Sequence, residues 1–207
     1  MLLGALASAS GAGDAALRPF IMDWRDNSGA LVNASELLEK PAGARGFITV
    51  KDGHLVKPGG SRFRIWGFNI TANATAPAKE DAPAYADYLA RFGINCVRLH
   101  FLDRTAPAGV VAANRDDTRA LDPERMDRLD FFIAELKKRG IYTDLNLNVG
   151  RTYKPGYGVR DHEYIGFGKA LTYFDERLIQ LQREYARQLL THRNPYTGAE
   201  YRHGELV

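Results

Sequence analysis

Apolar residues come first in short alternating runs and then at helical spacing along this chain. Within residues 46–56 two short apolar runs flank Asp52-Gly53, a two-residue turn whose glycine accepts a positive φ, and the spacing predicts a β-hairpin. After Pro58-Gly-Gly60, residues 62–70 read as a third strand. The period then changes. Residues 81–92 set Tyr85, Ala86, Leu89 and Phe92 on one helical face and stop at Gly93, and residues 94–100 follow directly as a strand. Asp122 before Pro123 marks a helix start, and Met126, Leu129, Phe132, Ile133 and Leu136 keep helical spacing up to Gly140. Residues 141–148 form the next strand. A third helix starts at Asp175, turns Leu178, Leu181, Tyr185 and Leu189 to one side, and breaks at Asn194-Pro195.

A repeat of helix, glycine and strand at this spacing predicts βαβ crossovers, hence an α/β fold with a parallel sheet. Three segments follow. Residues 1–13 are apolar and then small, which reads as the remnant of a secretory signal or as a disordered start; the first places the protein outside the cell or in its envelope, the second in the cytoplasm. Residues 14–60 form a lead-in that carries the hairpin, with a short helical stretch opened by Asn33-Ala-Ser-Glu36. Residues 61–207 carry the βα units.

Alternate residues of a strand share a face, so Cys96, Arg98 and His100 point one way, as do Tyr142, Asp144, Asn146 and Asn148 on the next strand. Val97, Leu99, Leu145 and Leu147 form the other, apolar face. Two neighbouring strands thus aim Arg98, His100, Asn146 and Asn148 into one space at their C-terminal ends. Leaving such groups buried and unpaired costs a few kcal/mol, so the space is either wet or internally hydrogen-bonded. The bland reading is a self-satisfied polar layer with Arg98 paired to Asp144. The functional one is a ligand site. A doubly wound sheet with a small-molecule site is a further alternative, opposed by this alternation, because strands buried on both faces read as continuous apolar runs. The segments 101–120 and 150–172 exceed ordinary connection lengths. The second carries Tyr153, Tyr157, Tyr164 and Phe167 beside Arg151, Lys154, Asp161 and His162, a set suited to stacking on sugars or to folding over its own aromatics. Trp66 reads equally as a sugar platform or as barrel filler.

Composition narrows the partners. The 207 residues carry a formal charge of +3 from 28 basic and 25 acidic residues, with alternating signs and no block of like charge, so nucleic acid is not an expected partner. No apolar run reaches 18 residues, so no membrane span is expected. Cys96, the single cysteine, lies in an apolar run and reads as a buried structural thiol. The five histidines lack metal-ligand spacing, and no Walker loop, GxGxxG after a strand, HExxH or Gly-x-Ser-x-Gly is present, so neither metal nor cofactor is expected. Asn33, Asn69 and Asn73 open glycosylation-type triplets, a pattern that recurs by chance.

Arg62-Phe-Arg-Ile-Trp-Gly-Phe-Asn69, Gly93-Ile-Asn-Cys-Val-Arg-Leu-His100 and Gly140-Ile-Tyr-Thr-Asp-Leu-Asn-Leu-Asn148 resemble the first three strands of a retaining clan-A glycoside hydrolase, in particular the cellulase-like barrels of glycoside hydrolase family 5. The resemblance runs from about Gly46 to Gly198. It implies the N-terminal part of a TIM (β/α)8 barrel of about three βα units, and hydrolysis of a β-glycan. It also implies that Arg98 supports the charge of the nucleophile, with Trp66, Asn69, Arg98, His100, Asn146, Asn148, Arg151 and Tyr153 contacting an oligo- or polysaccharide. Asn148 departs from the family, where that strand commonly ends in histidine. The family's two catalytic glutamates lie on its fourth and seventh strands. The expectation is therefore a fragment without catalytic residues, inactive alone, with residues 194–198 leading to a fourth strand that starts at 205–207. The alternative is a non-catalytic carbohydrate-binding or scaffolding half-barrel that pairs with a complementing half.

Overall fold

The structure, a computed structural model, describes residues 23–25, 33–114, 116 and 119–204. The segment 1–13 and the start of a fourth strand at 205–207 lie outside the described residues. Strands β1 (Thr49–Lys51) and β2 (His54–Val56) pair antiparallel across Asp52-Gly53, with Val50 opposite Leu55. Arg62 bridges to Val56 and the Phe63 N–H donates to the Leu55 carbonyl at 2.8 Å, so the chain adds a third rung to the hairpin before entering the main sheet.

That detour corrects the expected strand over 62–70. Strand β3 spans Gly67–Thr71 only. The Asn95 side chain accepts from the Trp66 N–H at 2.8 Å and donates to the Arg64 carbonyl at 2.8 Å, standing in for ladder partners just before the strand begins. Strand β4 (Cys96–His100) follows helix α1 (Ala82–Arg91), and β5 (Tyr142–Leu145) follows α2 (Pro123–Lys138). The three strands run parallel in the order β3-β4-β5. In register, Asn69, Arg98 and Asp144 form one row across the sheet, and Gly67, Cys96 and Tyr142 another.

Side-chain alternation places the core. Val97 and Leu99 are fully buried on the helix-facing side, packed with Leu89, Leu129, Phe132, Ile133 and Leu136. Each such side chain contributes about 1.5–3 kcal/mol through burial. Both longer helices start on an aspartate. Asp122 accepts from the Arg125 N–H at 2.9 Å, and Asp175, before α3 (Glu176–Leu190), accepts from the Leu178 N–H at 2.9 Å. The stop at Gly140 has a steric cause as well as a conformational one. Its φ is +84°, and a Cβ there would lie 2.5 Å from the Glu39 carbonyl oxygen.

Strand β5 ends three residues short of the expected 148. Asn146 still donates its N–H to the Leu99 carbonyl at 3.2 Å, but the Asn148 N–H turns to the Asn146 side chain, so residues 146–148 curl off the sheet. Residues 194–198 form a tight turn rather than a free connection. Asn194 is fully buried and donates to the Asp130 carbonyl at 2.9 Å, and the chain continues into the short helix α4 (Tyr201–Gly204). Tyr201 donates its hydroxyl to Asp130 at 2.5 Å, while His192 contacts the other carboxylate oxygen at 2.8 Å.

Candidate functional site at the carboxyl ends of the parallel strands

The face of the sheet turned away from the helices is polar at its C-terminal end because every second residue of three parallel strands points there. Asn69, Arg98 and Asp144 form the lower row, Thr71 and His100 the next, and Asn146 continues that row from the curl after β5. The Arg98 Nε lies 3.8 Å from an Asp144 carboxylate oxygen, and both side chains keep about half of their surface open, 45% and 55%. The pair is formed, yet it faces solvent with donors to spare. Cys96 below it is buried, which pushes its thiol up to about 11 and keeps it protonated.

The rim is fixed by contacts that the sequence pattern did not single out. Phe101, immediately after β4, has φ +68°, a strained value for an aromatic residue. Its ring lies where a Cβ on residue 150 would fall, 2.8 Å away, so glycine is required there. Asp103, 2% exposed, accepts from the backbone N–H groups of Val149, Gly150 and Arg151 at 2.8–3.1 Å. One carboxylate thus fixes the start of the loop after β5. Asn148 at this rim donates to the Thr172 hydroxyl at 3.2 Å, tying the two ends of the loop together.

The loop divides its aromatics. Tyr153 and Tyr157 are buried with Val159, Leu178 and Leu181 in a second small core. Arg151 is buried with them, its guanidinium donating to the Leu181 carbonyl at 2.9 Å and lying over the rings of Tyr157 and Tyr185. Arg151 and Tyr153 thus sit beneath the rim rather than on it. Tyr164, Tyr173 and Phe174 remain open to solvent, each at least 75% exposed, with Phe167 partly so. Trp66 is exposed but lies at the opposite, N-terminal end of β3, where its Nε1 donates to the Phe92 carbonyl at 3.2 Å. The structure therefore places Asn69, Arg98, His100 and Asn146 on adjoining rows, commits the Asn148 side chain to Thr172, and separates Trp66, Arg151 and Tyr153 from the rows. Among the described residues no three His, Cys, Asp or Glu side chains converge to hold a metal, and no helix is long and apolar enough to cross a membrane.

No family model matches the chain, and no curated protein matches it. Solved structures of similar fold include the following two. One is the endo-1,4-beta-mannanase from Rhizomucor miehei, at 15% identity and TM-score 0.60, covering 77% of this chain and 46% of that one. The other is a glycoside hydrolase family 5 mannosidase from Rhizomucor miehei, at 14% identity and TM-score 0.54, covering 75% and 45%. The chain spans less than half the length of either. Three parallel strands with their crossover helices, together with these two likenesses, give the chain the fold of part of a TIM barrel.

Proposed function

We propose that the carboxyl end of the β3-β4-β5 sheet is part of the glycan-binding cleft of a retaining β-glycan hydrolase, with a mannose-based polysaccharide as its substrate class. The observation that carries the reading is the polar surface made by Asn69, Arg98, His100 and Asn146, together with the exposed aromatics Tyr164, Tyr173 and Phe174 that the loop after β5 carries. Hydroxyl-rich ligands need donors and acceptors at fixed spacing and flat apolar faces to stack on, and this end offers both. By its resemblance to clan-A hydrolases, Arg98 is the residue that steadies the nucleophile. Of the nearby carboxylates, Asp103 is saturated by backbone N–H groups and Asp144 is engaged with Arg98. Neither supports double displacement, which needs two carboxylates about 5–5.5 Å apart.

The 207-residue chain is accordingly expected to bind soluble β-1,4-mannohexaose without hydrolysing it. Arg98→Ala should weaken binding about tenfold, the scale of one lost charge-assisted hydrogen bond. Calorimetric titration of both proteins, with chromatography of the sugar afterwards, checks this. Release of shorter sugars would overturn the inactivity, and no heat of binding would remove the cleft.

A second reading is supported by the sheet itself. Both β3 and β5 have one unpaired edge among the described residues, and such edges recruit further strands. A half-barrel that closes by pairing with a complementing half should sediment as a concentration-dependent complex. A monomer at every concentration, with or without a candidate partner, excludes it.

A further inference from the structure

We propose that His100 is a specificity-determining residue of this cleft: its ring stays neutral with the proton on Nε2, and it gives that N–H to a hydroxyl oxygen of the bound glycan. The inference rests on the glycan reading above and adds a defined donor to it. His100 ends β4 on the polar face, opposite Thr71 in register and next to Asn146. Its Nδ1 is buried and has no hydrogen-bond partner among the described residues. A proton on that nitrogen would be an unsatisfied buried donor, which costs about 1–3 kcal/mol, whereas a bare lone pair is tolerated more readily. The tautomer that avoids the cost carries its proton on Nε2.

The ring is held in place. It meets the Phe101 ring edge to face at 4.6 Å, and Phe101 is wedged over Gly150. A doubly protonated ring would need an acceptor for each N–H, and the buried edge offers none. The charged neighbours act in the same direction. Burial lowers the pKa of His100 most, Arg98 on its own strand and Lys169 in the loop before α3 lower it further, and Asp103 and Asp144 only partly oppose them. Arg104 stands beyond Phe101, over its outer face. A neutral Nε2 donor matches a sugar hydroxyl, an acceptor that carries no charge.

Nitrogen NMR of the uniformly labelled 207-residue chain tests this directly, since the two ring nitrogens report which carries the proton. His100 is expected to keep the Nε2–H form to a lower pH than an exposed histidine, whose ordinary pKa is about 6.5. Adding β-1,4-mannohexaose should move the Nε2 signal and leave Nδ1 in place. His100→Gln, which retains a donor, should bind within about threefold of the parent, and His100→Leu about five- to tenfold more weakly. An Nδ1–H tautomer, a charged ring at pH 7, or parent-like binding by His100→Leu would overturn the proposal while leaving the cleft intact. Absence of binding by the parent chain removes the cleft itself, and the donor's acceptor with it.

Discussion

Replacing Asp103 with alanine is expected to destabilise the protein by about 2–4 kcal/mol and to free the loop that follows β5. The carboxylate is 2% exposed and takes the N–H groups of three successive residues, Val149, Gly150 and Arg151. Alanine leaves those three donors without an acceptor in a buried setting. Water entering the gap recovers part of the loss, which sets the range below the full penalty of three buried orphans. Asp103→Asn should cost less. Its single oxygen can occupy the place that now serves all three N–H groups, while its NH2 points at the Gly150 N–H. Urea unfolding gives the total, and hydrogen exchange at residues 149–151 locates it. Parent-like stability with unchanged exchange would show that the loop is held by its aromatics instead.

Phe132→Ala should be costlier, about 3–5 kcal/mol, from a protein whose whole stability lies in the range of about 5–15 kcal/mol. Phe132 is fully buried in α2 and stacks on Tyr85 of α1, ring centroids 5.2 Å apart and 15° from parallel. It is the contact that seats both crossover helices over Val97 and Leu99. Truncation opens a cavity between two helices that are also joined by the Arg139–Asp87 ion pair, so the gap cannot close by simple collapse. Phe132→Leu keeps most of the volume and should cost about 1.5 kcal/mol or less. Urea midpoints for the two variants separate these outcomes, and equal losses would mean that the site responds to shape rather than to volume.

The two substitutions mark the limits of the sequence pattern. Phe132 is legible from spacing, because helical periodicity and the flanking Asp122 and Gly140 are local signals. Asp103 is not. It follows a strand as one acidic residue among several, and its role exists only because β5 runs alongside β4 and brings three N–H groups to it from 46 to 48 residues away. The same holds for Arg151 and Tyr153. Their composition suits a sugar-binding loop, but whether such residues face the ligand or a satellite core depends on where α3 docks. Trp66 shows a related effect: it precedes β3 rather than lying within the expected strand, since Phe63 is drawn onto the hairpin and delays the strand.

Turn residues, helix caps and the alternation of faces were determined by the sequence alone, because each depends on neighbours within a few positions. Those signals sufficed for the parallel α/β arrangement and for the polar row through Arg98 and His100. Tertiary structure decided which polar groups are consumed internally and which stay available, since that turns on partners distant in the chain. Asp103 and Arg151 are consumed by the loop, whereas Arg98 and His100 are left on the polar face of the sheet.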